Sequence, residues 1–340
     1  MIGSSGALGQ QICTALLTQR EVTLIRGVRS QGEPGSRRVD VREEMSIRAS
    51  AAAADLVVVA VPQDQPRVQR VCAALGIPCI DVSHEGALLR ATQRELGGSP
   101  VPLVMMCGVY PGLSGILAAD LVSTFDEVSE IHLGLLQSTN ALVGPVGVRD
   151  MLSKISQPVP TRKGLTPGFR LRRRMRFGER PVPVRLMRCD EREVLLQRFR
   201  AGEVRYYTGW SDLRFTSMIA ALRRSGLLRL ITRSGVRITP RHDPSVPETI
   251  WLSVEASGRR GGEPVTRSVG IQAFSDYGST ALLVAAVAKK LRSAPGPQGV
   301  LVPLDFFTAE DLQRVIDEAG QTQHGPRLAW CGRGDLNPHV

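Results

Sequence analysis

Along the first 120 residues, short continuous apolar runs at 22–25, 55–61, 78–82 and 101–106 are separated by segments of helical periodicity at 8–17, 65–75 and 113–121. Uninterrupted apolar strands spaced by helices predict a parallel sheet covered on both faces. Beyond about residue 125 the pattern changes. Longer strand-like pieces at 128–137, 205–208, 249–256 and 266–273 are broken by Pro and Gly, and Gly261 and Gly262 sit between the last two as the turn of a hairpin. A helix rich in Ala and Leu follows at 276–291. Thr308 and Asp311 then open another with a capping-box-like start, and Gly320 stops it. The predicted divisions are a doubly wound α/β domain over 1–122, an α+β domain over 123–275 and a helical segment over 276–320 that packs back on the core. A tail over 321–340 completes the chain.

Composition narrows the class. With 340 residues, 42% hydrophobic and 22% charged, the chain has the composition of a globular protein with room for two cores. No apolar run approaches the roughly 18 residues that span a bilayer, and no basic segment followed by an apolar stretch opens the chain, so a cytoplasmic location is expected. The six cysteines form no C-x-x-C pair and have no histidines at ligand spacing, which predicts reduced, mostly buried thiols and no metal. A net charge of +11 fits nucleic acid, anionic phospholipid or an acidic small molecule, and charge alone does not choose among them.

The chemistry begins at Gly3, Ser4, Ser5, Gly6, Ala7, Leu8 and Gly9, a glycine-rich turn running into a helical segment. Glycines there let the backbone turn tightly and approach a pyrophosphate, which the free N–H groups of the helix start would hold. Ahead of a β/α series, this predicts a Rossmann-type dinucleotide-binding domain. After the run at 22–25 stand Arg26 and Arg29, with no acid until Glu33. A carboxylate there would bond ribose hydroxyls and arginines would accept a 2′-phosphate, so NADP is expected, with NAD as the alternative. Only Met1 and Ile2 precede the first glycine, and a two-residue stub is not expected to pair on both sides as a central strand. Either the chain start lies downstream of the natural one or the sheet has a gap at its centre.

Several strings in order resemble the saccharopine dehydrogenase-like oxidoreductases: 3–9 (GSSGALG), 54–62 (ADLVVVAVP), 80–85 (IDVSHE) and 108–114 (GVYPGLS). Others follow at 208–210 (TGW), 258–266 (GRRGGEPVT), 278–281 (GSTA) and 297–300 (PQGV), so the resemblance covers roughly 1–320. It implies an NAD(P)-dependent oxidoreductase. By carry-over, Val61 and Pro62 would pass beside the nicotinamide ribose, and Asp81 and Glu85 would lie near the ring. The substrate is not implied, since no string matches the amino-acid-binding residues of the namesake.

Hydride transfer also needs a proton donor for the heteroatom, and the candidates are His84, Tyr110, Tyr207 and Asp212. His84 titrates nearest neutrality. Arg170, Arg172, Arg173, Arg174 and Arg176 crowd into nine residues, a set able to clamp carboxylates or phosphates but read first as a solvated basic loop. The run has no interleaved aromatics beyond Phe169 and Phe177, so RNA is not expected. The expected partners are a small C=N or C=O substrate and, at most, a second copy in a homodimer, with neither nucleic acid nor membrane. The string 330–339 (WCGRGDLNPH) resembles a translated tRNA gene and is expected to carry no function. Two readings compete with an oxidoreductase: a non-catalytic nucleotide-sensing or scaffold protein that keeps the Rossmann fold, and an enzyme inactivated by loss of its first strand.

Overall fold

A computed structural model describes residues 1–19, 22–30, 35–234, 238, 240–293, 296–320 and 328–335. The chain falls into two units, Met1–Leu113 with Tyr277–Asp311, and Ser114–Asp276 with Leu312–Val340. The first part runs α1 (Ala7–Leu17), β1 (Arg26–Val28), β2 (Ser36–Arg38), α2 (Glu44–Ala51), β3 (Val57–Val59), α3 (Arg67–Leu75), β4 (Cys79–Asp81), α4 (Gly86–Leu96) and β5 (Pro102–Val104). Then come α5 (Leu113–Val122), β6 (Glu127–Gln137), α6 (Pro145–Ser156), β7 (Pro158–Thr161), β8 (Gly164–Pro167), β9 (Arg172–Phe177) and β10 (Arg180–Met187). The chain continues with α7 (Glu191–Phe199), β11 (Glu203–Trp210), α8 (Leu213–Arg224), α9 (Leu227–Arg233), β12 (Ile250–Arg260) and β13 (Glu263–Ala273). It closes with α10 (Asp276–Ser293), β14 (Gly299–Leu301), α11 (Ala309–Gly320) and β15 (Leu328–Asp335).

In the first unit, β3, β4 and β5 are buried at every position, as strands covered on both faces must be. They pair in parallel with each other, and β14 joins in parallel beyond β5, a strand the sequence pattern did not show. Val68, Val71 and Cys72 of α3 share one helix face and pack against Val57, Val59 and Leu103. Gly76, at φ 72°, ends that helix in the left-handed region glycine favours.

The centre of this sheet corrects the sequence-based expectation. Ile2 bridges Gly27 on one side and Val59 on the other, both in parallel. Its N–H donates to Val58 (2.8 Å), its carbonyl accepts from Ala60 (3.0 Å), and the Gly3 N–H donates to Gly27 (2.9 Å). The neighbouring strands are themselves only three residues long, so one buried residue is enough to satisfy the main-chain groups facing it. There is no gap, and the spatial order β2, β1, Ile2, β3, β4, β5, β14 is a doubly wound sheet with its switch point beside Ile2.

The second unit holds a seven-stranded mixed sheet in the order β15, β13, β12, β6, β11, β10, β9, with β6 and β11 parallel and the other pairs antiparallel. The β12–β13 hairpin closes through Gly261 and Gly262 at φ 57° and 84°, the two positive φ values that a tight right-twisted hairpin requires. Two findings differ from the sequence reading. The arginine run is not a loop but the edge strand β9, with Met175 and Phe177 buried and Arg172, Arg174 and Arg176 exposed on the alternate positions. Residues 328–335, read as a tail without an element, pair with β13 as β15.

Candidate functional site

The glycine turn sits at the C-terminal end of the central strand position, where ligands bind in open α/β sheets. Each glycine has its own reason. Gly3 stands at φ 86°, and a Cβ there would meet Val61 Cγ1 at 2.6 Å and the Ala60 carbonyl oxygen at 2.9 Å. A Cβ on Gly9 would lie 1.9 Å from the Gly3 carbonyl oxygen, so glycine is what lets α1 pack onto the turn. At Gly6 the nearest atom is 3.5 Å away and the residue is exposed, so the protein itself does not demand glycine there. Glycine at this position leaves the space beside the turn open.

The head of α1 is also open electrically. Gly6 occupies the cap position with no side-chain acceptor, and no acid stands in the first turn. The amides of Ala7, Leu8 and Gly9 have no acceptor within the helix, which leaves the positive end of the helix dipole to an anion. Ser5 and Gly6 are exposed and Ala7 and Leu8 half-buried, whereas Ser4 is buried, its hydroxyl donating to the Gly27 carbonyl (3.2 Å). The residues present fit a dinucleotide pyrophosphate.

The second strand lies at 26–28 rather than 22–25, and this moves the arginines relative to it. Arg26 becomes its first residue, while Arg29 follows its end, the position from which a ribose is read. Both are exposed. Val61 and Pro62 follow β3 as expected, Val61 against Gly3 and Pro62 exposed.

Asp81 is placed differently from the carried-over role. It is fully buried, and its carboxylate accepts from Gln63 Nε2 (2.8 Å), Gln69 Nε2 (2.5 Å) and the Ser83 N–H (2.7 Å). Burial raises its pKa, and these donors oppose the rise. With no accessible surface it ties the loops after β3 and β4 together rather than touching a ligand. Gln69 is a signal the sequence reading passed over, a polar residue on the apolar face of α3. Glu85, exposed at the cap position of α4, lies 3.0 Å from His84 Nε2.

Of the four proton-donor candidates, His84 and Tyr110 belong to the unit that holds the glycine turn, both half-buried. Tyr110 lies in a backbone knot after β5. There Gly112, at φ 117°, has no room for a Cβ, and the Val109 N–H donates to Thr280 Oγ1 of α10 (3.3 Å). The other two belong to the second unit and have structural tasks. Tyr207 is 3% exposed in an apolar cluster with Val184 and Leu186, and burial raises its pKa against the pull of Arg205 and Arg173. Asp212 caps α8, accepting from the N–H groups of Arg214 (2.8 Å) and Phe215 (3.2 Å). Sequence reasoning missed Asp276 at the start of α10, pushed up to about 6 by burial and by Glu248, and His132, pushed down to about 3 by burial beside Arg173 and Arg205.

A parallel sheet with a glycine turn at its switch point, joined to a unit with a mixed sheet, defines a two-unit Rossmann-type α/β protein. No family model matches the chain, and no curated protein matches it in sequence. Among solved structures it is similar to saccharopine dehydrogenase (L-Glu forming) from Saccharomyces cerevisiae, with a TM-score of 0.67 at 12% identity over 97% of this chain and 98% of that one. The chain thus has a saccharopine dehydrogenase-like fold. DAP dehydrogenase from C. glutamicum (TM-score 0.49, 13% identity, 92% and 96% covered) and an engineered D-amino acid dehydrogenase bound to NADP+ (0.48, 12%, 91% and 96%) also match, at scores too low to carry an argument.

Proposed function

We propose that the chain is an NADP-dependent oxidoreductase acting on a small C=N or C=O substrate. The observation that carries this reading is the turn at the switch point, where Gly6 is free of any demand from the protein and the head of α1 has no cap of its own. The amides of Ala7, Leu8 and Gly9 would hold the pyrophosphate, and Val61 and Pro62 would line the path toward the nicotinamide. Arg29, beyond the end of β1 with no acid in the strand, would accept the 2′-phosphate. When bound, the dinucleotide supplies or takes the hydride. His84 is the leading group to give or take the proton, since an imidazole can do either and Glu85 Oε1 lies 3.0 Å from its Nε2.

A second reading, a nucleotide-binding protein without catalysis, is favoured by the loss of two donor candidates to the core and to a helix cap. One experiment separates the two. Fluorescence titration with NADPH and NADH, followed by turnover of NADPH with a panel of keto acids and imines and of NADP+ with amines, should show NADPH binding and hydride transfer. Binding without turnover across the panel supports the sensing reading, and binding of neither nucleotide overturns both.

A further inference from the structure

The second unit carries a surface the proposed activity does not use. From 213 to 234 the chain has five arginines and no acid, and 161–178 also lacks acids. Leu227 and Leu230 of α9, Met218 of α8 and Leu171 just before β9 are all exposed, Leu230 at 66%. Arg223 lies among these elements. Burial, then the charges of Arg229 and Arg170, hold its guanidinium below the usual value. Arg172 acts in the same sense on Arg185, its cross-strand partner. The acid adjoining α8, Asp212, is turned to the helix cap. Arginines gathered beside exposed leucines make a surface that is both cationic and apolar, and an anionic apolar boundary is its complement.

We propose that α8, α9 and the start of β9 dock on an anionic lipid bilayer, the leucines entering the headgroup boundary and the arginines meeting lipid phosphates. No helix among the described residues is long and apolar enough to cross a membrane, and surface docking requires none. A nucleic acid fits this face less well, because Phe169 and Phe177 beside the arginine run are buried and Phe215 is stacked edge-on against Trp210. A second copy fits less well too, since a symmetric contact would set the arginine cluster against itself.

Flotation of the full chain with phosphatidylcholine vesicles, with and without phosphatidylserine, tests this at low and high salt. Binding is expected only with phosphatidylserine and should weaken with salt. Arg170→Ala/Arg223→Ala/Arg229→Ala should lower the affinity roughly a hundredfold, about fivefold per arginine. Leu227→Ser/Leu230→Ser, which leaves the charge unchanged, should also lower it at low salt. Arg170, Leu227, Arg229 and Leu230 are exposed and Arg223 is half-buried, so a melting curve followed by circular dichroism accompanies each variant, and single Leu230→Ser gives the same reading in a milder form. The proposal is overturned if anionic vesicles do not retain the chain or if the leucine variants bind as well as the parent. It is likewise overturned if a single-stranded oligonucleotide binds as tightly as the vesicles, or if the leucine variants dissolve a dimer.

Discussion

The carboxylate network of the second unit and the glycine turn of the first treat their polar groups in opposite ways. In the second unit, buried carboxylates are ringed by donors. Glu191 accepts from the Ser114 hydroxyl (2.5 Å) and the Tyr206 hydroxyl (2.6 Å), and Glu255 accepts from Arg173 (2.9 Å) and the Arg176 N–H (3.2 Å). Burial would raise Glu203, but the Arg162 N–H, Arg205 and Arg192 hold it below the usual carboxylate range. In the first unit, the head of α1 keeps its amides uncapped beside residues with little side chain. A polar group whose bonds are all made within the protein stabilises the fold and has nothing left for a ligand. One that is left open at a strand end is where a ligand supplies the missing partner.

Substitutions in the glycine turn should break this contrast most sharply. Gly9→Ala would drive a methyl group to within 1.9 Å of a backbone oxygen, and a loss of about 3 kcal/mol or more in denaturant unfolding is expected. Gly6→Ala, with its nearest atom at 3.5 Å, should melt like the parent yet bind NADPH at least about tenfold more weakly, because the added methyl stands where the phosphates approach. Equal stability of the two variants would show that the turn is not built as described.

Next in size, Glu191→Ala should cost about 2 kcal/mol in the same measurement, since it leaves two buried hydroxyls without their acceptor. An unchanged unfolding midpoint would mean that the buried network of the second unit is not structural. Arg29→Ala should then reduce the preference for NADPH over NADH about tenfold, roughly 1.4 kcal/mol, with NADH binding unchanged. A preference that instead follows Arg26→Ala would place the phosphate at the start of β1.

The smallest effect concerns pH. Folded Asp276 keeps its proton up to about pH 6, whereas the unfolded side chain releases it near its ordinary 3.8. Between those values the folded state binds the extra proton, so the contribution of this group to stability rises as pH is lowered through the window and is least favourable above pH 6. Asp276→Asn should flatten that slope and raise stability at pH 7. A pH profile identical to the parent would remove Asp276 from the account.

Much of this was legible along the chain because periodicity and turn chemistry are local. Continuous apolar runs at 55–61 and 78–82 contain β3 and β4, the helical pattern at 65–75 contains α3, and the paired glycines close the hairpin at Gly261 and Gly262. The glycine turn announced itself by spacing, since Gly3, Gly6 and Gly9 fall where a turn into a helix needs them. Elements whose reason lies elsewhere in the chain were not legible. Strand β14 exists because β5 offers an open edge, and the pairing of Ile2 depends on two strands that arrive 25 and 57 residues later. The register of β1 shifted by four residues for the same cause, since the hydrogen bonds of Gly27 to Met1 and Gly3, not the apolar run at 22–25, set where the strand lies.

The sequence by itself determined the class of fold, the presence of the glycine-rich turn and the excess of cationic over acidic side chains near the second strand, because each is written in spacing and composition. Only the tertiary structure decided which candidates are committed to the fold. Asp81, Tyr207 and Asp212 are ordinary polar residues in the sequence, and folding surrounds the first with amide donors, buries the second and commits the third to a helix end. The reason is that availability belongs to a side chain's neighbours in space. Two glutamines, a sheet face or a helix start can consume a group's bonding capacity from positions that no local pattern reveals.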